Sequence, residues 1–106
     1  NCVVNSDAKN GYGCDAVTLD SFVDGNSINP GLIKIMTNWG EANILKGSLV
    51  TINKHRPIII VSLSASGKEL FEILNICTSL TGYRHLIRKT SELHSTDGLF
   101  LISIPM

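Results

Sequence analysis

The stretch from Leu32 to Ser62, LIKIMTNWGEANILKGSLVTINKHRPIIIVS, constrains the fold more than any other part of the chain. Leu32-Ile33-Lys34-Ile35-Met36 is an apolar run long enough for one strand, and Thr37-Asn38-Trp39-Gly40 breaks it. From Glu41 the spacing turns helical: Ala42, Leu45, Leu49 and Ile52 recur at steps of three and four, with Ile44 beside them. Lys54-His55-Arg56 suits the negative end of that helix, and Pro57 stops it by pushing the preceding residue out of the α region. Ile58-Ile59-Ile60-Val61 is β-branched and unbroken, the pattern of a strand covered on both faces. Strand, helix and strand make a βαβ unit, whose second strand should return parallel to the first by a right-handed crossover.

The flanks extend the same scheme. Cys2-Val3-Val4 is a short β-prone patch, and Gly11–Ala16 formally fits GxGxxA but lacks a strand before it and a long helix after it. Ala16-Val17-Thr18-Leu19 reads as a strand, with Asp20 as N-cap of a brief turn over Ser21-Phe22-Val23. Asp24–Gly31 is dense in turn formers. Beyond the βαβ unit, Ser66 can cap a second helix from Gly67 to about Ser79, with Leu70, Phe71, Leu74, Cys77 and Leu80 on its apolar side and Gly82 as its C′ residue. Tyr83–Arg88 and Leu99–Ile104 are strands separated by the polar loop Thr90–Gly98, and they could pair as a hairpin. The expected fold is one α/β domain over residues 1–106, a mixed, mostly parallel sheet of about five strands with two main helices.

Charge and composition exclude several function classes. Nine basic and nine acidic residues cancel, so nothing marks a nucleic-acid or anionic-membrane partner, and no apolar run reaches transmembrane length. The three cysteines, Cys2, Cys14 and Cys77, form no CxxC pair, which favours a reduced, cytoplasmic setting, with Cys77 a small core residue. His55, His85 and His94 are too dispersed to suggest a metal site, so none is expected. Ser62, Ser64 and Ser66 lack the glycine elbow and neighbouring histidine of a serine hydrolase.

From Val17-Thr18-Leu19-Asp20 through LIKI, the Gly40-Glu41 pair, LKGS and HRPIIIV, to Leu80-Thr81-Gly82-Tyr83, the chain resembles the second half of the FkbM-type methyltransferases. Their pattern reads roughly TLD, a spacer, IKIDVEGAE, LKGA, then RP with a later Glu, and the spacing here fits without a gap over about residues 15–90. The departures fall on polar positions. Met36 stands at the Asp of IKID, Asn38 at the Glu of VEG, Trp39 at its Gly and Gly40 at the next Ala. Ser62 replaces the acidic residue that often ends the RP strand, while Glu41 matches the family's second Glu.

The resemblance implies the C-terminal half of a Rossmann-like methyltransferase, with S-adenosylmethionine as cofactor and a hydroxyl of a saccharide or similar metabolite as methyl acceptor. It also implies that the donor-binding elements, a glycine-rich loop after strand one and an acid after strand two, lie upstream of Asn1. On that reading the enzyme is divergent or incomplete. Glu41 is the candidate catalytic group, orienting the acceptor hydroxyl or acting as base, against the plainer reading of a first-turn carboxylate favoured by the helix dipole. Asn38, Trp39 and Ser62 are candidate substrate-binding residues at the carboxyl ends of two strands. The alternative is a non-catalytic binding or assembly module on the same half-fold. Either way the first strand of the βαβ unit lacks its usual neighbour, so a homo-oligomer through that sheet edge is expected unless Cys2–Val4 or Val17–Leu19 covers it.

Overall fold

The computed structural model describes residues 15–63, 67–90 and 98–106. In chain order these form α1 (Leu19–Gly25), β1 (Leu32–Ile35), α2 (Glu41–Lys46), α3 (Leu49–His55), β2 (Ile58–Ser62), α4 (Lys68–Thr78), β3 (Tyr83–Lys89) and β4 (Leu99–Pro105). The fold is α/β with a mixed sheet ordered β1-β2-β4-β3, four strands among the described residues where about five were expected. β1 and β2 pair in parallel, and β4 runs antiparallel to both β2 and β3. The last two strands therefore do form a hairpin, and its second arm is inserted beside β2. The fifth candidate, Ala16–Leu19, is no strand: residues 15–18 have no regular structure and Leu19 opens α1. Cys2–Val4, most of the GxGxxA segment, Ser66 and the tip of the β3–β4 loop lie outside the described residues.

The crossover helix is broken in two, and residues 30 positions upstream explain the break. Thr18 caps α1 by accepting from Ser21 N at 3.1 Å. Asp20, expected to cap that same turn, instead serves α3: its carboxylate accepts from Val50 N at 3.2 Å and Thr51 N at 2.7 Å. Its own N–H donates to Gly47 O at 2.9 Å. One residue thus takes up a carbonyl at the end of α2 and two free N–H groups at the start of α3. A Cβ at Gly47 would sit 3.2 Å from Thr18 Cβ, so a side chain there would fit only if Thr18 gave way by a few tenths of an ångström.

At the other end of α3 the HRP sequence forms a second knot. Arg56 leaves the helix with φ 56° and ψ 48°. Its guanidinium donates to Thr81 O and Gly82 O, each at 2.7 Å, and lies 4.5 Å from the centre of the Tyr83 ring. Tyr83 returns the contact by donating its hydroxyl to Pro57 O at 2.7 Å. The turn before β3 is thereby fixed to the start of β2, and Gly82, at φ +71° in that turn, is not the C′ residue of α4, whose cap is Ser79.

The core lies between the helices and one face of the sheet: Ile33, Ile35, Ile59, Val61 and Leu101 meet Leu45, Ile52, Ile73 and Cys77. Cys77 is a buried core thiol, as its spacing suggested. Phe71 is not on that side; it is 68% exposed, and Ile73 takes the buried position. The opposite sheet face corrects a further expectation. β2 reads as a strand covered on both faces, yet Ile58 is exposed and Ile60 only half-buried, and no described helix packs there.

Candidate functional site at the carboxyl ends of β1 and β2

In an open sheet with parallel strands, the ends where those strands finish are where loops converge on a ligand. Here the loop after β1 carries Met36, Thr37, Asn38 and Trp39, all exposed, with Trp39 at 78%. Its path is set by two left-handed residues, Asn38 at φ 68° and Gly40 at φ 91°. Thr37 Oγ1 donates to Trp39 O at 2.9 Å, and Gly40 N donates to Glu69 Oε1 at 2.8 Å. Glu69 in the first turn of α4 thus anchors the loop from 29 positions away, a role its sequence, an ordinary charge on an amphipathic helix, does not reveal.

Glu41 lies beneath this loop at the start of α2 and is fully buried. Oε1 accepts a long contact from Thr37 N, 3.4 Å, and Oε2 has no hydrogen-bond partner among the described residues. A buried acceptor left unmade costs about 1–3 kcal/mol, so this oxygen is held at a stability cost. Ser62 ends β2 opposite Phe100 and is buried. Because Ile35 pairs with Val61, Met36 and Ser62 follow side by side at the two strand ends. The four candidate residues therefore share one end of the sheet in two layers: Asn38 and Trp39 outside, Glu41 and Ser62 inside.

S-adenosylmethionine carries an ammonium and a ribose diol, groups that carboxylates recognise. The exposed loop offers Met36, Thr37, Asn38 and Trp39 and no carboxylate, and Glu41 is out of reach of solvent. These residues alone do not fit the donor. Among the described residues no cluster of His, Cys, Asp or Glu could hold a metal ion. His55 Nδ1 is 2.9 Å from Asn29 Oδ1, and His85 Nδ1 is 2.8 Å from Ser103 Oγ. No described helix is long and apolar enough to cross a membrane.

One groove borders the site and another lies at the opposite end of the strands. The first, of about 220 Å³, lies beside β1 and is lined by residues 33–37 of that strand and the loop after it, Lys34 and Thr37 included, with Leu19 and Ile44 opposite. The other, of about 620 Å³, lies between α1 and α3 near the starts of β1 and β2, with Asp24, Lys54 and His55 in its wall. Its best-placed carboxylate, Asp20, is already occupied in capping α3. No family model, curated protein or solved structure matches this chain.

Proposed function

We propose that this chain is a divergent FkbM-type methyltransferase-like half-fold whose own role is binding and assembly, with the β1 edge pairing to a second copy. The observation that carries this reading is the state of the inherited polar positions: Met36 is exposed where the family has an acid, and the retained Glu41 is sealed inside. The edge supports the assembly part. β1 has a sheet neighbour on one side only among the described residues, Leu32 is 56% exposed, and a mostly apolar groove that also holds Lys34 and Thr37 runs alongside to receive side chains of an added strand. Light scattering over a concentration series tests it. A dimer or larger species is expected, and a monomer at high concentration removes the assembly role.

A second reading is favoured by the strand order. In β1-β2-β4-β3 the last strand runs antiparallel between strands that point the other way, which is the mixed edge that closes many methyltransferase sheets. On this reading, S-adenosylmethionine-binding elements join along β1 and the chain supplies the acceptor side for a saccharide hydroxyl. The donor would supply the electrophilic methyl group. Asn38 and Trp39 would hold the acceptor, with Ser62 in the wall, and the unpartnered oxygen of Glu41 would accept the hydroxyl proton once the loop opens. Donor binding and methyl transfer by the chain once such elements are joined to it separate the two readings: both are expected on the second and neither on the first. The proposed setting is the cytoplasm.

A further inference from the structure

The register of the sheet defines a surface that no described helix covers. Lys34, Ile60, Ile102 and Leu86 lie abreast on the four strands. Side chains alternate along a strand, so residues two positions away share this face. On one side lie the pairs Leu32–Ile58 and Ile104–Arg84, and on the other Phe100 paired with Arg88 and with Ser62, whose burial closes that corner of the face. Leu32, Ile58 and Leu86 are exposed, and Ile60, Phe100, Ile102 and Ile104 are half-buried. None of them belongs to the core cluster or packs against it. Lys34 reaches over the Phe100 ring at 6.0 Å, which places both on this side.

Parallel strands are stable when both faces are covered, and β1 and β2 are parallel. The surface is therefore half of a layer contact. Its size indicates what completes it. Four strands at about 4.8 Å spacing span about 14 Å, and three rows along the strands cover a similar length. One helix about 10 Å across, two to three turns long, fits that area. Its charge indicates the chemistry of that helix. Every charged side chain that the register puts on this face is a cation, Lys34, Arg84 and Arg88, and all three are exposed around an apolar centre.

We infer that this sheet face docks an amphipathic helix of a partner polypeptide, with carboxylates flanking its apolar stripe to meet Lys34, Arg84 and Arg88. The inference is independent of the methyltransferase reading, since it uses only register, exposure and charge. A membrane or nucleic acid is a poorer match, because the cations are three and frame isoleucines instead of forming a stripe.

The test uses two synthetic helical peptides with the same leucine stripe, one flanked by glutamates and one by lysines, titrated calorimetrically into the full chain. The glutamate peptide is expected to bind at least tenfold more tightly, with affinity falling as salt rises. The double variant Arg84→Glu, Arg88→Glu changes two exposed positions, and its far-UV spectrum should be unaltered while its preference reverses to the lysine peptide. Equal binding of both peptides, or no binding of either at millimolar concentration, overturns the inference. So does self-association of the free chain that Leu86→Glu abolishes, because the face then belongs to a second copy. Pairing through the β1 edge would survive Leu86→Glu, so the two surfaces are distinguishable.

Discussion

Replacing Glu41 by Met asks whether the buried carboxylate is structural or is retained against stability. Methionine fills a similar length with an adaptable apolar chain. Two contributions are lost. The Thr37 N–H contact is long at 3.4 Å, and Thr37 is exposed, so its N–H can turn to water; the loss is below about 0.5–1 kcal/mol. A first-turn carboxylate is also favoured by the helix dipole by about 0.3–1 kcal/mol. Against these stands relief of Oε2, unpartnered and sealed, at about 1–3 kcal/mol, together with burial of apolar volume in its place. The balance is a stabilisation on the order of 1 kcal/mol, which in a domain of this size raises Tm by about 4–8 °C. Urea and thermal unfolding followed by circular dichroism would measure it. A loss of more than about 1 kcal/mol would refute the reasoning, because it would mean that the carboxylate is a satisfied structural group.

Asp20→Ala should destabilise by about 1–2 kcal/mol in urea unfolding, since it strips the N-terminus of α3 of two hydrogen bonds; an effect under 0.3 kcal/mol, on the same scale for cap loss, would contradict that role. Arg56→Lys should cost about 1–3 kcal/mol despite keeping the charge, because an ammonium cannot donate to Thr81 O and Gly82 O together while stacking on Tyr83. Burial pushes the Cys77 thiol up from 9.0 to about 11, so the folded state holds its proton over a range where the unfolded chain releases it. Stability should therefore fall as pH rises from 9.0 towards 11, by up to about 1.4 kcal/mol per pH unit, a loss that Cys77→Ala should reduce; the Tyr83 phenol, also raised by burial, acts in the same direction. In a Cys2→Ser, Cys14→Ser background, Cys77 should react with a thiol reagent at pH 8 only when the chain is unfolded; rapid reaction of the folded protein would show the site to be open.

Local patterns carried the elements well because each is written in neighbouring residues. The isoleucine run of β2 and the breaks at Gly40 and Pro57 lie within reach of short-range rules, and the structure keeps β1 and β2 parallel as the βαβ unit requires. What was illegible came from contacts across long sequence separations. Asp20 and Gly47 look like a turn cap and an interior helix glycine, yet they meet and divide the crossover helix. The four isoleucine and valine residues of β2 suggested two covered faces, but composition does not tell whether the covering element is present, and here only Ile59 and Val61 are sealed. At the candidate site, sequence placed Asn38, Trp39, Glu41 and Ser62 at one sheet end, and the backbone agrees. It could not foresee which would face solvent: Trp39 stands out, while Glu41 is inside with an unpartnered oxygen among the described residues.

The central proposal is that the chain is a methyltransferase-like half-fold that does not take up the methyl donor on its own. Calorimetric titration of the purified chain with S-adenosylmethionine and S-adenosylhomocysteine tests it most directly. The account predicts no heat of binding up to millimolar ligand, at protein concentrations where the chain is fully assembled. Micromolar binding of either ligand would contradict it and would mean that the assembled chain completes a donor pocket.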